Sequence, residues 1–243
     1  MSCWRVARAA VWFLRSISPL FVATIPARTR KEQWTGRGDP PILPRVDIAF
    51  PTRRFGGYIF DCDGTVADTM PLHFRAWTRA MEELGGRFPE ELFYAWGGKP
   101  TDVIVRQLNA KFGLSLDVER TVQMKEGFYL ALVPEVKAVQ PVLDYAKSIY
   151  GTAPMAIASG GPHELVDSTL AALGITELFD AVVCVEDYVH GKPAPDPFLE
   201  AARRLGVPAS DCVVFEDSPT GIAAAEAAGM AHVFVPRIPQ IRV

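Results

Sequence analysis

A chain of 243 residues is long enough for one sizeable domain, or for a core domain that carries a smaller insert. Its 49% hydrophobic and 22% charged content excludes disorder for the bulk of the chain, and a formal net charge of -3 offers no basic footprint for nucleic acid. The four cysteines, Cys3, Cys62, Cys184 and Cys212, stand singly without a Cys-x-x-Cys pair, which argues against structural zinc and a disulfide framework and fits a reducing, cytoplasmic setting.

Residues 1–54 differ from the rest. Arg5, Arg8, Arg15, Arg28, Arg30 and Lys31 all precede Glu32, the first acidic residue. The apolar runs 9–14 and 17–25 are interrupted by Arg15 and Pro19, so neither reaches the roughly 20 residues that span a bilayer, and no membrane partner is expected. A basic, acid-poor start reads as an organelle-targeting peptide, a weak export signal or a disordered extension. The Gly- and Pro-rich residues 36–44 read as a linker, and the folded domain is expected to begin at Phe55.

From there a short apolar strand, Tyr58-Ile59-Phe60, runs into Asp61 and Asp63, and Gly64 permits an abrupt turn. Carboxylates at the end of an apolar strand cost several kcal/mol unless a cation or dense hydrogen bonding compensates them. After Thr69 the pattern becomes helical, with Phe74, Trp77, Ala80, Met81 and Leu84 at helical spacing before Gly85-Gly86. Three more helices are predicted over 89–96, 101–112 and 118–132, with no strand among them. This predicts an all-helical insert over 70–140.

Beyond it the chain alternates: helices over 142–150, 162–173, 197–205 and 221–228, and strands over 155–158, 181–185, 212–215 and 232–235. Such alternation implies right-handed crossovers and a parallel sheet covered by helices on both faces. Ligands bind outside the carboxyl ends of such strands. The loops leaving those ends carry Ser159-Gly160-Gly161, then Glu186-Asp187 and His190-Gly191-Lys192-Pro193, then Glu216-Asp217-Ser218.

Asp61, Asp63, Glu216 and Asp217 carry more negative charge than one site holds without metal, and oxygen donors without His or Cys favour Mg²⁺ over zinc. A phosphoryl group held by Ser159, Lys192 and backbone N–H groups completes the balance. One carboxylate of the Asp61/Asp63 pair is then available to attack phosphorus and the other to move the proton.

The ordered set Asp61-Cys62-Asp63-Gly64-Thr65-Val66-Ala67-Asp68-Thr69, Ser159, Lys192 with Pro193-Ala194-Pro195-Asp196, and Glu216-Asp217-Ser218 resembles the haloacid dehalogenase-like hydrolase superfamily, in its β-phosphoglucomutase-like and sugar-phosphatase branch, across residues 57–236. The resemblance implies an α/β fold: a Rossmann-like three-layer parallel-sheet core over 55–69 and 141–243, with the helical cap of 70–140 inserted. It implies Asp61 as nucleophile, through an aspartyl-phosphate, and Asp63 as acid/base. Mg²⁺ would be held by Asp61, the Asp63 carbonyl and Asp217, with Glu216 in or near the shell. Ser159 with Gly160, and Lys192, would grip the phosphoryl group.

Dehalogenases lack the second aspartate, so Asp63 points to phosphate chemistry. Pro100 stands where the mutase branch has an arginine for a second phosphate, and Gly98-Lys99-Pro100-Thr101 resembles small sugar-phosphate phosphatases of the fructose-1-phosphate type. A phosphosugar mutase that uses Lys99 for the distal anion is the alternative reading, and a non-catalytic binding protein with relic motifs is the third. His73 sits where a family histidine lies near the acid/base aspartate, set against an exposed helix-start histidine. Trp77 shares its face, either packing in the core or stacking on a sugar. The expected partner is a small phosphate ester, and the expected state a monomer.

Overall fold

The computed structural model describes residues 47–237. The basic segment over 1–46 lies outside the described residues, as does the end of the chain after Arg237. Packing already begins upstream of Phe55. Phe50 stacks on Tyr145 with ring centroids 4.6 Å apart and planes 14° from parallel, and Ile48 and Phe50 both lie against the core.

The described residues form five strands: β1 (Gly57–Phe60), β2 (Met155–Ala158), β3 (Ala181–Val183), β4 (Cys212–Glu216) and β5 (Ala231–Phe234). All pair in parallel in the order β3-β2-β1-β4-β5, with Phe60 level with Ile157 on one side and Phe215 on the other. β1, β2 and β4 are buried at every position, which is why they read as unbroken apolar runs rather than as alternation. Successive side chains still go to opposite faces. Tyr58 and Phe60 pack with Val142, Leu143, Val166 and Leu170, whereas Ile59 packs with Phe198, Ala201 and Ala224.

The helices are α1 (Met70–Glu83), α2 (Glu90–Ala95), α3 (Thr101–Phe112), α4 (Val118–Leu132), α5 (Gln140–Ile149), α6 (His163–Leu173), α7 (Asp196–Leu205) and α8 (Pro219–Ala227). α5 and α6 supply one face of the sheet, α7 and α8 the other. Two boundaries move for identifiable reasons. The strand expected to reach 185 stops at Val183, because the Asp187 carboxylate accepts from Cys184 N at 2.8 Å and draws Val185–Asp187 into a 3₁₀ turn. The helix expected from Gly221 starts at Pro219, because the Ser218 hydroxyl caps it by accepting from Gly221 N at 3.0 Å.

α1 to α4 form the cap around Trp77, Met81, Phe88, Phe93, Ile104, Val105 and Leu108. A second apolar patch joins cap to core, with Leu72, Ala76, Tyr129 and Val133 against Leu165 of α6. The two connections between cap and core run side by side: Asp68 N donates to Lys137 O at 2.8 Å and Val139 N to Val66 O at 2.9 Å, around an antiparallel bridge between Ala67 and Ala138. Among the described residues no helix is long and apolar enough to cross a membrane.

Candidate active site

β1 and β4 are neighbours, so Asp61, Glu216 and Asp217 leave the sheet side by side. Lys192, from the loop before α7, reaches between them: its Nζ donates to Asp61 Oδ1 at 2.6 Å and to Glu216 Oε2 at 2.8 Å. The Glu216 carboxylate also accepts from Ser218 N at 3.0 Å and from the Ser218 hydroxyl. Asp217 faces Arg237, whose Nε lies 3.4 Å from Oδ2. Gly64 makes this proximity feasible: it adopts φ +90°, and a Cβ there would stand 2.5 Å from Asp217 Oδ2.

The charges do not balance. Burial, and after it the neighbouring Glu216 carboxylate, raises the Asp61 pKa well above the usual carboxylate range, and the same two causes push Asp217 up to about 7. Burial opposes the Lys192 cation, yet Asp61 and Glu216 outweigh it and raise its pKa. Asp61 Oδ2 is buried and has no hydrogen-bond partner among the described residues. One oxygen from each of Asp61, Glu216 and Asp217 lies within 4.8 Å of the others. An orphaned buried oxygen in an all-carboxylate set with a charge excess fits a hard divalent cation of the Mg²⁺ type.

The Asp63 carboxylate turns away from that set, toward the cap. Its Oδ1 accepts from Thr69 Oγ1 at 2.6 Å and meets His73 Nε2 at 3.2 Å, while Ser159 Oγ lies 3.5 Å from Oδ2. Burial alone would raise the Asp63 pKa, but His73, Thr69 and Lys125 together hold it down to about 2. Burial and the Lys125 charge lower the pKa of His73. The ring of His73 stacks flat on Tyr129 at 3.9 Å, and the Tyr129 hydroxyl pairs with Thr169 Oγ1 at 2.7 Å. The exposed helix-start alternative for His73 is thus excluded.

A cavity of about 80 Å³ lies between these two acids and the cap. It is lined by Asp61, Asp63, His73, Trp77, Lys99 and Gly160, all expected from the sequence, and by Lys125, which was not. Trp77 is buried, set edge-on to Phe88 at 5.3 Å, so packing is its main role. Lys99 donates to Gln107 Oε1 at 3.1 Å and lies 5.5 Å from the Trp96 ring centroid, which holds its ammonium within the cap. Ser159 is buried, and its hydroxyl accepts from Gly161 N at 3.0 Å. Cap and core backbones meet closely here: a Cβ on Gly160 would stand 3.1 Å from Gly98 O.

Lys125 carries a legible signal in retrospect. Thr121, Lys125 and Tyr129 recur every four residues along α4 and are its buried positions, so a lysine occupies the apolar stripe of a cap helix. Arg237 had no such pattern. It follows β5 and touches both Asp217 and the Tyr94 carbonyl, the latter at 3.4 Å, thereby linking the acid cluster to the cap.

Comparison with known proteins agrees with this arrangement. A family described as haloacid dehalogenase-like hydrolase matches residues 55–229. The fructose-1-phosphate phosphatase YqaB of Escherichia coli is 38% identical over 182 residues, covering 75% of this chain and 97% of that protein. A phosphorylated carbohydrates phosphatase of Thermotoga maritima is 31% identical, covering 72% of this chain and 82% of its own length. Among solved structures, CbbY of Rhodobacter sphaeroides in complex with phosphate superposes with a TM-score of 0.67 at 23% identity, over 77% of this chain and 91% of that one, and shares the fold.

Proposed function

We propose, from the premise that this chain belongs to the haloacid dehalogenase-like hydrolase family, that it hydrolyses a small sugar phosphate of the fructose 1-phosphate type. It is a phosphoric monoester hydrolase. The observation that carries the finer reading is the division of labour between two acids two residues apart. Asp61 sits in a lysine-bridged carboxylate cluster with one oxygen unpartnered, while Asp63 is held by Thr69 at the start of the cap helix and by His73 within it.

In this reading the Asp61 carboxylate attacks phosphorus, forming an aspartyl-phosphate as the bond to the sugar oxygen breaks, and that oxygen leaves with the proton of Asp63. Water then attacks the aspartyl-phosphate and loses its proton to Asp63, which restores both acids. The phosphoryl charge arriving beside Asp63 raises its pKa from about 2, so that it holds the proton the leaving oxygen takes. Ser159 and Lys192 hold the phosphoryl oxygens, and Lys192 balances charge on Asp61 throughout. A divalent cation of the Mg²⁺ type, held by Asp61, Asp217, Glu216 and the Asp63 carbonyl, would supply charge neutralisation for the transferred group.

The small cavity, lined in part by Gly98, Lys99 and Pro100, suits a compact sugar head. A panel of sugar phosphates, with free phosphate measured for each in Mg²⁺ and in EDTA, tests the assignment. Fructose 1-phosphate or a close analogue is expected to give the highest kcat/KM, with loss of turnover in EDTA. Conversion of β-glucose 1-phosphate to glucose 6-phosphate in the presence of a bisphosphate, without free phosphate, would overturn it in favour of the mutase.

Lys125 makes a separate prediction. Burial lowers its pKa to about 8 against the opposing pull of Glu126 and Asp63. A lysine is cationic below its pKa, so the cavity carries this charge at neutral pH and loses it as the pH rises through about 8. KM for an anionic substrate is expected to climb above that pH in the wild type. In Lys125→Met it should be raised several-fold at neutral pH and show no such climb. An identical alkaline limb in both proteins would remove Lys125 from substrate binding.

A further inference from the structure

We infer that His163, Cys184 and Glu186 form a second metal site, separate from the carboxylate cluster at Asp61 and suited to a borderline-soft transition ion of the zinc class. The ligand atoms of the three lie within 4.8 Å of one another, and the set shares no residue with Asp61, Glu216 and Asp217. Cys184 is buried, His163 half-buried and Glu186 exposed, which gives the site a closed floor and a solvent-facing mouth.

The local fold assembles the site. β3 stops at Val183, and the Val185–Asp187 turn brings Cys184 and Glu186, two positions apart, to the start of α6, where His163 is the first residue. The Glu186 carboxylate already accepts from His163 N at 3.1 and 3.3 Å. The imidazole lies between two further carboxylates: Nε2 is 2.8 Å from Asp187 Oδ2 and Nδ1 is 3.8 Å from Asp167 Oδ2. Whichever nitrogen ligates, the other faces an acid. A carboxylate behind the imidazole orients a ligating histidine and raises its basicity.

Ligation converts the Cys184 thiol to a thiolate and releases its proton to solvent. The Asp187 and Asp167 carboxylates beside His163 add negative charge around the three ligands, which favours a dication there. Sequence spacing argued against structural zinc because no two of these ligands form a Cys-x-x-Cys or similar motif; α6 and the turn after β3 supply them from separate elements. Val185 N donates to Gly161 O at 3.1 Å, so an ion here would tie the turn to the loop that carries Ser159 and would stiffen the phosphate-holding segment.

The test uses the full chain in saturating Mg²⁺, titrated with Co²⁺ and then with Zn²⁺. A single equivalent of Co²⁺ is expected to produce a near-ultraviolet thiolate-to-cobalt charge-transfer band that Zn²⁺ displaces. The band should vanish in Cys184→Ser and persist in Cys62→Ser. His163→Ala should weaken Zn²⁺ binding by more than about tenfold while keeping Mg²⁺-dependent phosphatase activity. Should Cys184→Ser fail to fold, Glu186→Gln, on the solvent side, takes its place with the same expected weakening. Absence of a thiolate band in the wild type, or Zn²⁺ affinity unchanged in both His163→Ala and Glu186→Gln, would overturn the proposal.

Discussion

Asp61→Asn is expected to lower turnover on the order of 10⁴-fold, and to leave the protein folded and no less stable in EDTA. The amide cannot form the phosphorylated intermediate, so the loss should fall on kcat, with phosphate still bound. The folded-state pKa of Asp61 is raised by burial and by Glu216, so folding disfavours the ionised form, and this penalty grows as pH rises above the ordinary aspartate value toward the folded one. Asparagine removes it, while Lys192 keeps its 2.8 Å contact with Glu216. Thermal unfolding at neutral pH, alongside phosphate release, checks both parts. Residual turnover within about tenfold of wild type would exclude Asp61 as nucleophile.

Lys192→Met is expected to be the more damaging change for stability, at about 3–5 kcal/mol, because it leaves Asp61 and Glu216 buried without their shared cation. For a folded unit of this size that corresponds to roughly 6–20 °C in Tm. The loss should be largest in EDTA and partly recovered in Mg²⁺, since a cation bound at the carboxylates replaces some of the missing charge. The double variant Asp61→Asn with Lys192→Met should lose less than the sum of the two, because the pair shares one interaction. An unchanged Tm for Lys192→Met in EDTA would mean that the cluster is not electrostatically dependent on that lysine.

Asp61, Lys192, Glu216 and Asp217 all belong to the core. Asp63 contacts the cap directly, through His73, with Thr69 at the start of the cap helix as its second partner. Tyr129 and Thr169 then extend that contact across to α6.

Much of this was determined locally and could be read from the sequence alone. Apolar runs the length of a strand alternate with helix-period segments, so a parallel α/β sheet follows from periodicity. In such a sheet every strand ends at the same edge, so Asp61, Ser159, Lys192 and Glu216-Asp217 had to converge once their strands were recognised. The cap was legible as four helices without a strand. Other features depend on contacts between segments far apart in sequence, and these only the tertiary structure decided. Nothing local to Lys125 says that its stripe faces an acid more than sixty residues earlier. Arg237 meets Tyr94, and Phe50 meets Tyr145, because α2 and α5 pack where they do. β3 ends two residues early because the Asp187 carboxylate takes the Cys184 N–H that a longer ladder would have used. That same turn sets Cys184 and Glu186 beside His163, a set that spacing rules cannot find because its ligands come from two elements that meet only in the folded chain.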